Sequence, residues 1–165
     1  MVFIMAGASA NDENSSPKQD DQGGTQPMVE VKQGDLCQSG VSSGFACRSV
    51  ELLARLPLAE IGGGSGADSW GWKDSQTGRY YALMARSTGT SFVDITDPAV
   101  PVYLGNLPST VGQSPWRDVK VYADHAFVVA DGIEGHGMQV FDLTRLRGLE
   151  SPQVFAFDAL YRSIN

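Results

Sequence analysis

The sequence predicts an all-β fold, a partial β-propeller of about two four-stranded blades preceded by an N-terminal entry segment. The 165-residue chain contains 19 glycines, which is typical of many turns and few long helices. Short strand patterns recur about every 40–50 residues, a spacing that is typical of propeller blades. Several of these patterns are almost continuously apolar, so both faces of the strands are expected to be covered.

Each copy of the repeat is predicted to hold four strands rich in Val, Ile, Phe and Tyr, which suit a packed pleated surface. The strands are expected at Trp70–Trp72, Tyr81–Ala85, Ser91–Thr96 and Pro101–Gly105, and again at Trp116–Tyr122, His125–Ala130, Met138–Thr144 and Gln153–Phe157. Residues 69–114 and 115–165 are therefore assigned to one blade each. A closed propeller needs at least about four blades, so we expect a fragment of a longer propeller. Self-association of an open two-blade stack is the alternative.

Two pairs of segments show the repeat most clearly. They are residues 92–96 (FVDIT) with 140–144 (VFDLT), 48 positions apart, and Tyr81-Ala82 with His125-Ala126, 44 positions apart. Asp94 and Asp142 occupy the same place in the two copies. This recurrence predicts a structural hydrogen bond to a neighbouring turn rather than a catalytic role.

Helix is expected to be scarce. Ser49 is placed to cap a short turn that runs through Leu56 and is stopped by Pro57. One further turn is expected at Thr144–Arg147 and would be ended by Gly148.

The N-terminal residues indicate export. Residues 1–10 (MVFIMAGASA) are apolar and end in the A-x-A form of a signal-peptidase site, so we interpret them as a remnant of an export signal. An unstructured apolar N-terminus is the alternative, because a basic n-region is missing. Residues 11–35 are predicted to be a disordered polar spacer, since 11–27 contain no aliphatic or aromatic residue and cannot offset their ordering entropy.

Residues 36–68 are interpreted as an entry segment that contains a cysteine loop. Cys37 and Cys47 are separated by nine residues, and Gly40 and Gly44 between them allow the chain to fold back. A disulfide is favoured over two free thiols. The hypothesis that the two cysteines supply half of the ligands of a metal site is disfavoured, because the segment has no C-x-x-C pair and no nearby His. A disulfide implies an oxidising compartment, which again indicates export.

The charge balance bears on partners. The chain has 19 acidic and 12 basic side chains and a net charge of −7, which disfavours binding to nucleic acid. Its apolar runs are all shorter than the roughly 18 residues that a membrane-spanning helix needs. We therefore expect neither a nucleic-acid partner nor a membrane span in this chain.

Trp116, Arg117 and Asp118 form the most informative polar and aromatic cluster. The innermost strand of a blade lines the central channel of a propeller, so Arg117 and Asp118 could face a ligand there while Trp116 forms an apolar wall. The alternative is an Arg–Asp pair inside a contact between blades, with Trp116 in the core.

Asp131, Glu134 and His136 are the candidate metal ligands, since carboxylates and imidazoles bind divalent metals. They lie in one short glycine-rich stretch, so a solvated hairpin loop is the alternative. His125 is expected to be a turn or strand-edge residue. We predict no catalytic residues and no cofactor.

Several motifs resemble the choice-of-anchor B proteins, which are built from LVIVD-type repeats. The matching segments are residues 68–72 (DSWGW), 77–82 (TGRYYA), 89–98 (GTSFVDITDP), 101–105 (PVYLG), 116–122 (WRDVKVY), 125–127 (HAF) and 135–143 (GHGMQVFDL). The paired cysteines followed by residues 50–58 (VELLARLPL) also fit the N-terminal entry of that family. The resemblance covers residues 36 to 159.

The resemblance implies a secreted β-propeller held at the extracellular cell surface by varying C-terminal anchors. Family members are much longer, so it also implies that further C-terminal blades of the same polypeptide are missing here. The expected function is an exported, surface-associated module that contacts a protein or carbohydrate ligand, without enzymatic activity. The alternative is a hydrolase or metal-dependent enzyme whose site is completed by the missing blades.

Overall fold

The computed structural model describes residues 2–7, 36–42 and 44–162. The chain divides into two compact units, Phe3–Arg55 and Leu56–Asn165, with the first two residues counted in the second unit. The described residues form several antiparallel sheets, none of them closed, together with two short 3₁₀ helices and no α-helix. The all-β prediction is therefore confirmed. The predicted spacer, residues 11–35, and the A-x-A motif at 8–10 lie outside the described residues.

The first unit contains two small sheets and a disulfide. Strand β1 (Val2–Gly7) pairs with β4 (Val50–Leu56), and β2 (Val41–Ser42) forms a hairpin with β3 (Phe45–Ala46). Cys37 and Cys47 are bonded, with their Cα atoms 5.8 Å apart, which is a normal separation for a disulfide. The predicted pairing of the two cysteines is confirmed.

The helical turn predicted between Ser49 and Leu56 is wrong, because this segment is strand β4. Leu52 and Ala54 are buried while their neighbours along the strand are less so, which is the two-residue alternation of a half-covered strand. Ser49 has a φ of +56°, outside the extended conformation of an N-cap residue. Pairing with β1 therefore overrides the local helical preference.

The second unit begins with a 3₁₀ helix, Leu58–Ile61, followed by a five-stranded sheet. Its strands β5 (Gly66–Lys73), β6 (Tyr80–Arg86), β7 (Gly89–Asp94) and β8 (Val102–Pro108) pair antiparallel in chain order. The fifth strand, β12 (Gln153–Val154), joins the far edge parallel to β8. We call this the first sheet.

The second sheet has four strands. They are β9 (Arg117–Tyr122), β10 (His125–Ala130), β11 (Met138–Asp142) and β13 (Ala159–Tyr161), paired antiparallel in that order. Ala123 and Asp124 connect β9 to β10 with φ angles of +45° and +61°, as a two-residue hairpin with a left-handed turn requires. The helical turn expected after β11 is present as a 3₁₀ helix, Leu143–Leu146.

The fourth strand of the second copy was predicted at Gln153–Phe157, and this is wrong. Gln153 and Val154 pair with the first sheet instead, and β13 is the fourth strand. The reason lies at Gly105, where a Cβ atom would come within 2.0 Å of the Gln153 carbonyl oxygen. Only glycine lets the two backbones approach so closely. Phe155 then enters the core that the two sheets share.

The facing sides of the two sheets share one hydrophobic core. It contains Trp72, Tyr81, Leu83, Ala85, Phe92, Leu104 and Leu107 from the first sheet and Val119, Ala126, Val128 and Phe141 from the second. The opposite side of the first sheet packs on Ile61 through Met84 and Val93. All six residues of β7 are buried. The prediction that almost continuously apolar strands are covered on both faces is wrong for β10, the most apolar of them: Ala126 and Val128 are buried, whereas Phe127 is half-buried and Val129 is 39% exposed.

The equivalent aspartates at the ends of β7 and β11 make equivalent hydrogen bonds. Asp94 Oδ1 accepts from the backbone N–H of Thr96 at 2.9 Å. Asp142 Oδ1 accepts from the backbone N–H of Thr144, also at 2.9 Å. The predicted structural hydrogen bond of this recurring residue is confirmed, although the chain continues as a 3₁₀ helix only after Asp142.

Candidate functional site

The three residues predicted to contact a ligand, Trp116, Arg117 and Asp118, do not point to one side of β9. Arg117 is buried, with 2% of its surface exposed, whereas Trp116 is 67% exposed and Asp118 lies in solvent. Successive side chains near a strand point to opposite faces, which separates Arg117 from its two neighbours. The trio therefore divides into one buried cation and two surface groups.

Arg117 makes hydrogen bonds to neutral acceptors. Its Nε donates to the Arg86 carbonyl oxygen at 2.9 Å, its Nη2 to Ser109 Oγ at 2.8 Å, and its Nη1 to His136 Nε2 at 2.6 Å. None of the carboxylates in the described part of the chain forms an ion pair with it. Burial and the charge of Arg86 lower the pKa of Arg117, but an arginine stays charged throughout the working pH range.

The contact with Arg117 fixes the tautomer of His136. A guanidinium group can only donate hydrogen bonds, so His136 Nε2 must accept and carry no proton. The ring proton then lies on Nδ1, which donates to the Gly137 carbonyl oxygen at 2.7 Å. Burial, together with the charge of Arg117, lowers the pKa of His136, although the hydrogen bond to Gly137 acts in the other direction. His136 is therefore a neutral, buried acceptor.

The candidate metal ligands Asp131, Glu134 and His136 are not brought together. Asp131 and Glu134 are exposed, whereas His136 is buried and its Nε2 is occupied by Arg117. Across residues 36–42 and 44–162, no three His, Cys, Asp or Glu side chains are grouped so that they could hold a metal ion. Instead, His136 from the predicted metal ligands and Arg117 from the predicted ligand-binding residues contact each other in a buried polar network.

Arg86, at the end of β6, belongs to the same network and was not singled out from the sequence. It is fully buried, and its guanidinium donates to Ser91 Oγ, to the Gly63 carbonyl oxygen and to Thr88 Oγ1 at 2.6–2.8 Å. Gly62 packs against it so closely that a Cβ atom would lie 2.6 Å from Nη2. In the sequence Arg86 precedes a polar hairpin, where a solvated arginine is the usual expectation.

The surface part of the site lies along β5 and β9. Lys120 Nζ is 2.8 Å from Asp68 Oδ2 and 3.8 Å from Asp118 Oδ1, and it lies 4.7 Å from the centroid of the Trp70 ring. Asp68 also accepts from the backbone N–H of Val119 at 3.1 Å, which ties the two strands together. The exposed strand surface thus combines an ammonium group, two carboxylates and an indole.

Trp116 extends this surface at the start of β9. Its ring rests on Gly132, where an added Cβ atom would come within 2.7 Å of the ring atoms Cε3 and Cζ3. The backbone N–H of Asp131 donates to the Trp116 carbonyl oxygen at 2.8 Å. We call the half-buried Asp68 and the exposed Trp70, Trp116, Asp118 and Lys120 together the strand-edge surface. Its aromatic rings and hydrogen-bonding groups are suited to contacting a ligand.

Comparisons with protein-family models, curated proteins and solved structures found no significant match for this chain. The described residues contain no helix that is long and apolar enough to cross a membrane.

Proposed function

We propose that this chain is part of an exported β-propeller of the choice-of-anchor B type, a non-enzymatic module that presents its strand-edge surface and its loops to a protein or carbohydrate ligand. The observation that carries the proposal is the different exposure of equivalent positions on the two sheets. The second sheet covers these positions on the first sheet, whereas three of their counterparts on the second sheet are clearly more exposed.

Three pairs of aligned residues make this comparison. Leu83 and Ala85 on β6 are 1% and 0% exposed, and their counterparts in the alignment are Phe127 and Val129 on β10. Val129 is 39% exposed and Phe127 is half-buried. Trp72 on β5 lies opposite Tyr81, and Tyr122 on β9 lies opposite His125, which is the counterpart of Tyr81. Trp72 and Tyr122 are therefore equivalent, yet Trp72 is 6% exposed and Tyr122 is 77% exposed.

We call the side of the second sheet that carries Tyr122, His125, Phe127 and Val129 its outer face. On the first sheet the equivalent face is covered by small and branched residues of the second sheet, among them Val119, Ala126 and Val128. Exposed apolar faces of this kind mark interaction sites. The apolar part of the outer face therefore suits a further sheet of the same kind, and the family resemblance supplies its source as additional blades of the same polypeptide. Lys120 pairs with Phe127 on this side, and its counterpart Trp70 stays 42% exposed beside the second sheet.

Export is supported by the disulfide in the first unit. Bonds such as Cys37–Cys47 form and persist mainly in oxidising compartments. The apolar N-terminal sequence and the family resemblance point in the same direction. Exposed aromatic rings beside carboxylates are suited to binding a ligand.

Self-association tests the open outer face. Without a covering sheet, the chain should associate as its concentration rises, measured by light scattering after size exclusion. The double variant Tyr122→Glu, Val129→Glu should stay monomeric, because it places charge on the outer face. Val100→Glu is the matched control, since Val100 is 62% exposed at a different place. A wild-type chain that stays monomeric at high concentration, with no binding of a hydrophobic dye, would contradict the proposal.

Ligand binding is tested on the strand-edge surface. The folded protein is applied to an array of oligosaccharides and of extracellular protein domains, and any hit is measured again by tryptophan fluorescence. Trp70→Ala and Trp116→Ala should each weaken binding, whereas Tyr80→Ala, which removes an exposed ring elsewhere, should not. Binding that survives both tryptophan changes would place the ligand on another surface.

A further inference from the structure

Two loops at one end of the second sheet are joined through His136. Residues 109–116 connect β8 to β9, and residues 131–137 connect β10 to β11. Thr110 Oγ1 donates to the His136 carbonyl oxygen at 2.9 Å, and Ser114 Oγ donates to the Asp131 carbonyl oxygen at 2.5 Å. Side-chain hydroxyl groups of the 109–116 loop thus bind the backbone of the 131–137 loop at both of its ends.

The ring of His136 adds the link from this loop to the sheet. Arg117 donates to its Nε2 at 2.6 Å and also to Ser109 Oγ at 2.8 Å, so one guanidinium binds both loops. The link exists only while Nε2 is unprotonated, because Arg117 offers no acceptor. Protonation of His136 would replace the hydrogen bond with two cations in contact.

We propose that the His136–Arg117 hydrogen bond is an acid-sensitive latch. It holds the 131–137 loop against the 109–116 loop while the imidazole is neutral, and it releases the 131–137 loop when Nε2 takes up a proton. This inference does not depend on the proposed function. Release of the loop would also change the strand-edge surface, because the ring of Trp116 rests on Gly132 of that loop.

The charged groups around His136 agree with this behaviour. Arg117 faces the ring from β9, with Arg86 behind it on β6, and the Arg162 side chain packs beside Gly137, where a Cβ atom would lie 3.1 Å from its Cγ. Residues 109–116 contain no titratable side chain. The carboxylates of Asp131 and Glu134, in the same loop as His136, are exposed to solvent. A proton on His136 therefore meets cations and no buried counter-charge.

The direction of the pH effect follows from this environment. The pKa of His136 is lowered from its ordinary value of 6.5 by burial and by Arg117. The unfolded or released form binds the proton more readily, so the latch contributes fully above pH 6.5 and is lost as the pH falls below that value.

The chain has only two histidines, so the ring signals can be resolved directly by NMR. At neutral pH the ¹⁵N shifts should show an unprotonated Nε2 and a protonated Nδ1 for His136. On acidification, amide exchange in residues 131–137, corrected for its intrinsic pH dependence, should rise by up to about tenfold for each pH unit between pH 6.5 and the lower folded pKa of His136, and should level off below that pKa. Exchange in β6 and β7 should stay slow.

Two variants separate the latch from general acid effects. His136→Gln keeps an acceptor for Arg117 but has no titrating group, so exchange in the loop should lose its pH dependence. His125→Gln is the control and should behave as wild type, because the His125 ring makes its hydrogen bond to the Ala123 carbonyl oxygen at the opposite end of β10 from the 131–137 loop. A protonated Nε2 at neutral pH, or a pH response that persists in His136→Gln, would overturn the proposal. If that variant does not fold, the wild-type tautomer and loop exchange decide alone.

Discussion

Phe92 of the first sheet stacks on Phe141 of the second, with ring centroids 4.7 Å apart and an angle of 21° between the planes. Phe155 completes the cluster, 5.6 Å from Phe92 and 5.0 Å from Phe141. Both stacked rings are fully buried. The contact between the sheets therefore centres on three aromatic rings that come from β7, from β11 and from the segment after β12.

Replacing Phe92 with alanine should destabilise the second unit strongly. A large cavity would open between the sheets, and a buried Phe→Ala change costs about 3–5 kcal/mol. The free energy of unfolding from urea denaturation measures this. Tyr122→Ala is the matched control, because Tyr122 is 77% exposed and surface changes usually stay within about 0.5 kcal/mol. A loss below about 1 kcal/mol for Phe92→Ala would show that the two sheets do not depend on this stack.

Asp74 should make the second unit sensitive to acid. Its side chain is inaccessible to solvent and accepts from Arg147 Nε at 2.7 Å and Nη2 at 2.8 Å, 73 positions along the chain. Hydrogen bonds from Arg147, opposed by desolvation and assisted by Thr77, hold the pKa of Asp74 far below its usual value of 3.8. The ionised form is therefore favoured in the folded state. Its stabilising effect is present above about pH 4 and is lost as the pH falls further.

Asp74→Asn should therefore lower stability near neutral pH and flatten the decline below about pH 4. Thermal unfolding as a function of pH measures both effects. Asp118→Asn removes one exposed negative charge without breaking a buried ion pair, so it controls for net charge. If the melting temperature of Asp74→Asn falls below pH 4 as steeply as that of the wild type, other groups cause the acid sensitivity.

The sequence allowed the local elements to be predicted better than their partners. The aligned segments around Asp94 and Asp142 form equivalent strands and turns because strand and turn preferences are local. Residues 153–154 were assigned to the wrong sheet, because the choice depends on the approach of Gln153 to Gly105, 48 positions away. The helical turn at 50–56 was wrong for the same reason, since a pairing strand decides its conformation.

The site was predicted only in part. Arg117 and His136 were both named, but for different ligands, and their hydrogen bond depends on how the loop 131–137 folds back on β9. Neighbouring positions on a strand alternate between faces, so Arg117 is separated from Asp118 even though they are adjacent. Arg86 gave no signal in the sequence, because its burial follows from the packing of Gly62 against it.

Gly105→Ala should detach β12 from the first sheet. Gly105 has a φ of +126°, and an added Cβ atom would collide with the backbone of Gln153. The strain of a non-glycine residue at such an angle costs about 1–3 kcal/mol by itself. Gly78→Ala is the matched control, because Gly78 has a φ of +72° with no atom within 4 Å of the added Cβ.

Hydrogen exchange distinguishes these two glycine variants. The backbone N–H of Phe155 donates to the Asn106 carbonyl oxygen at 2.8 Å, so it reports on β12 directly. This amide should exchange faster in Gly105→Ala and remain protected in Gly78→Ala. Equal protection in both variants would show that β12 tolerates the extra methyl group and that the approach at Gly105 is not what positions it.

Reduction of the Cys37–Cys47 bond should destabilise the first unit. The bond closes a loop with a sequence separation of 10, and the chain-entropy model gives about 2.5–3 kcal/mol for a loop of that size. The intact protein should have a mass lower by two hydrogens than the reduced form. Cys37→Ser, Cys47→Ser should reproduce the loss without reductant, because it removes the same crosslink from the unfolded chain. Two free thiols in protein purified without reductant would contradict the disulfide and, with it, the main support for export.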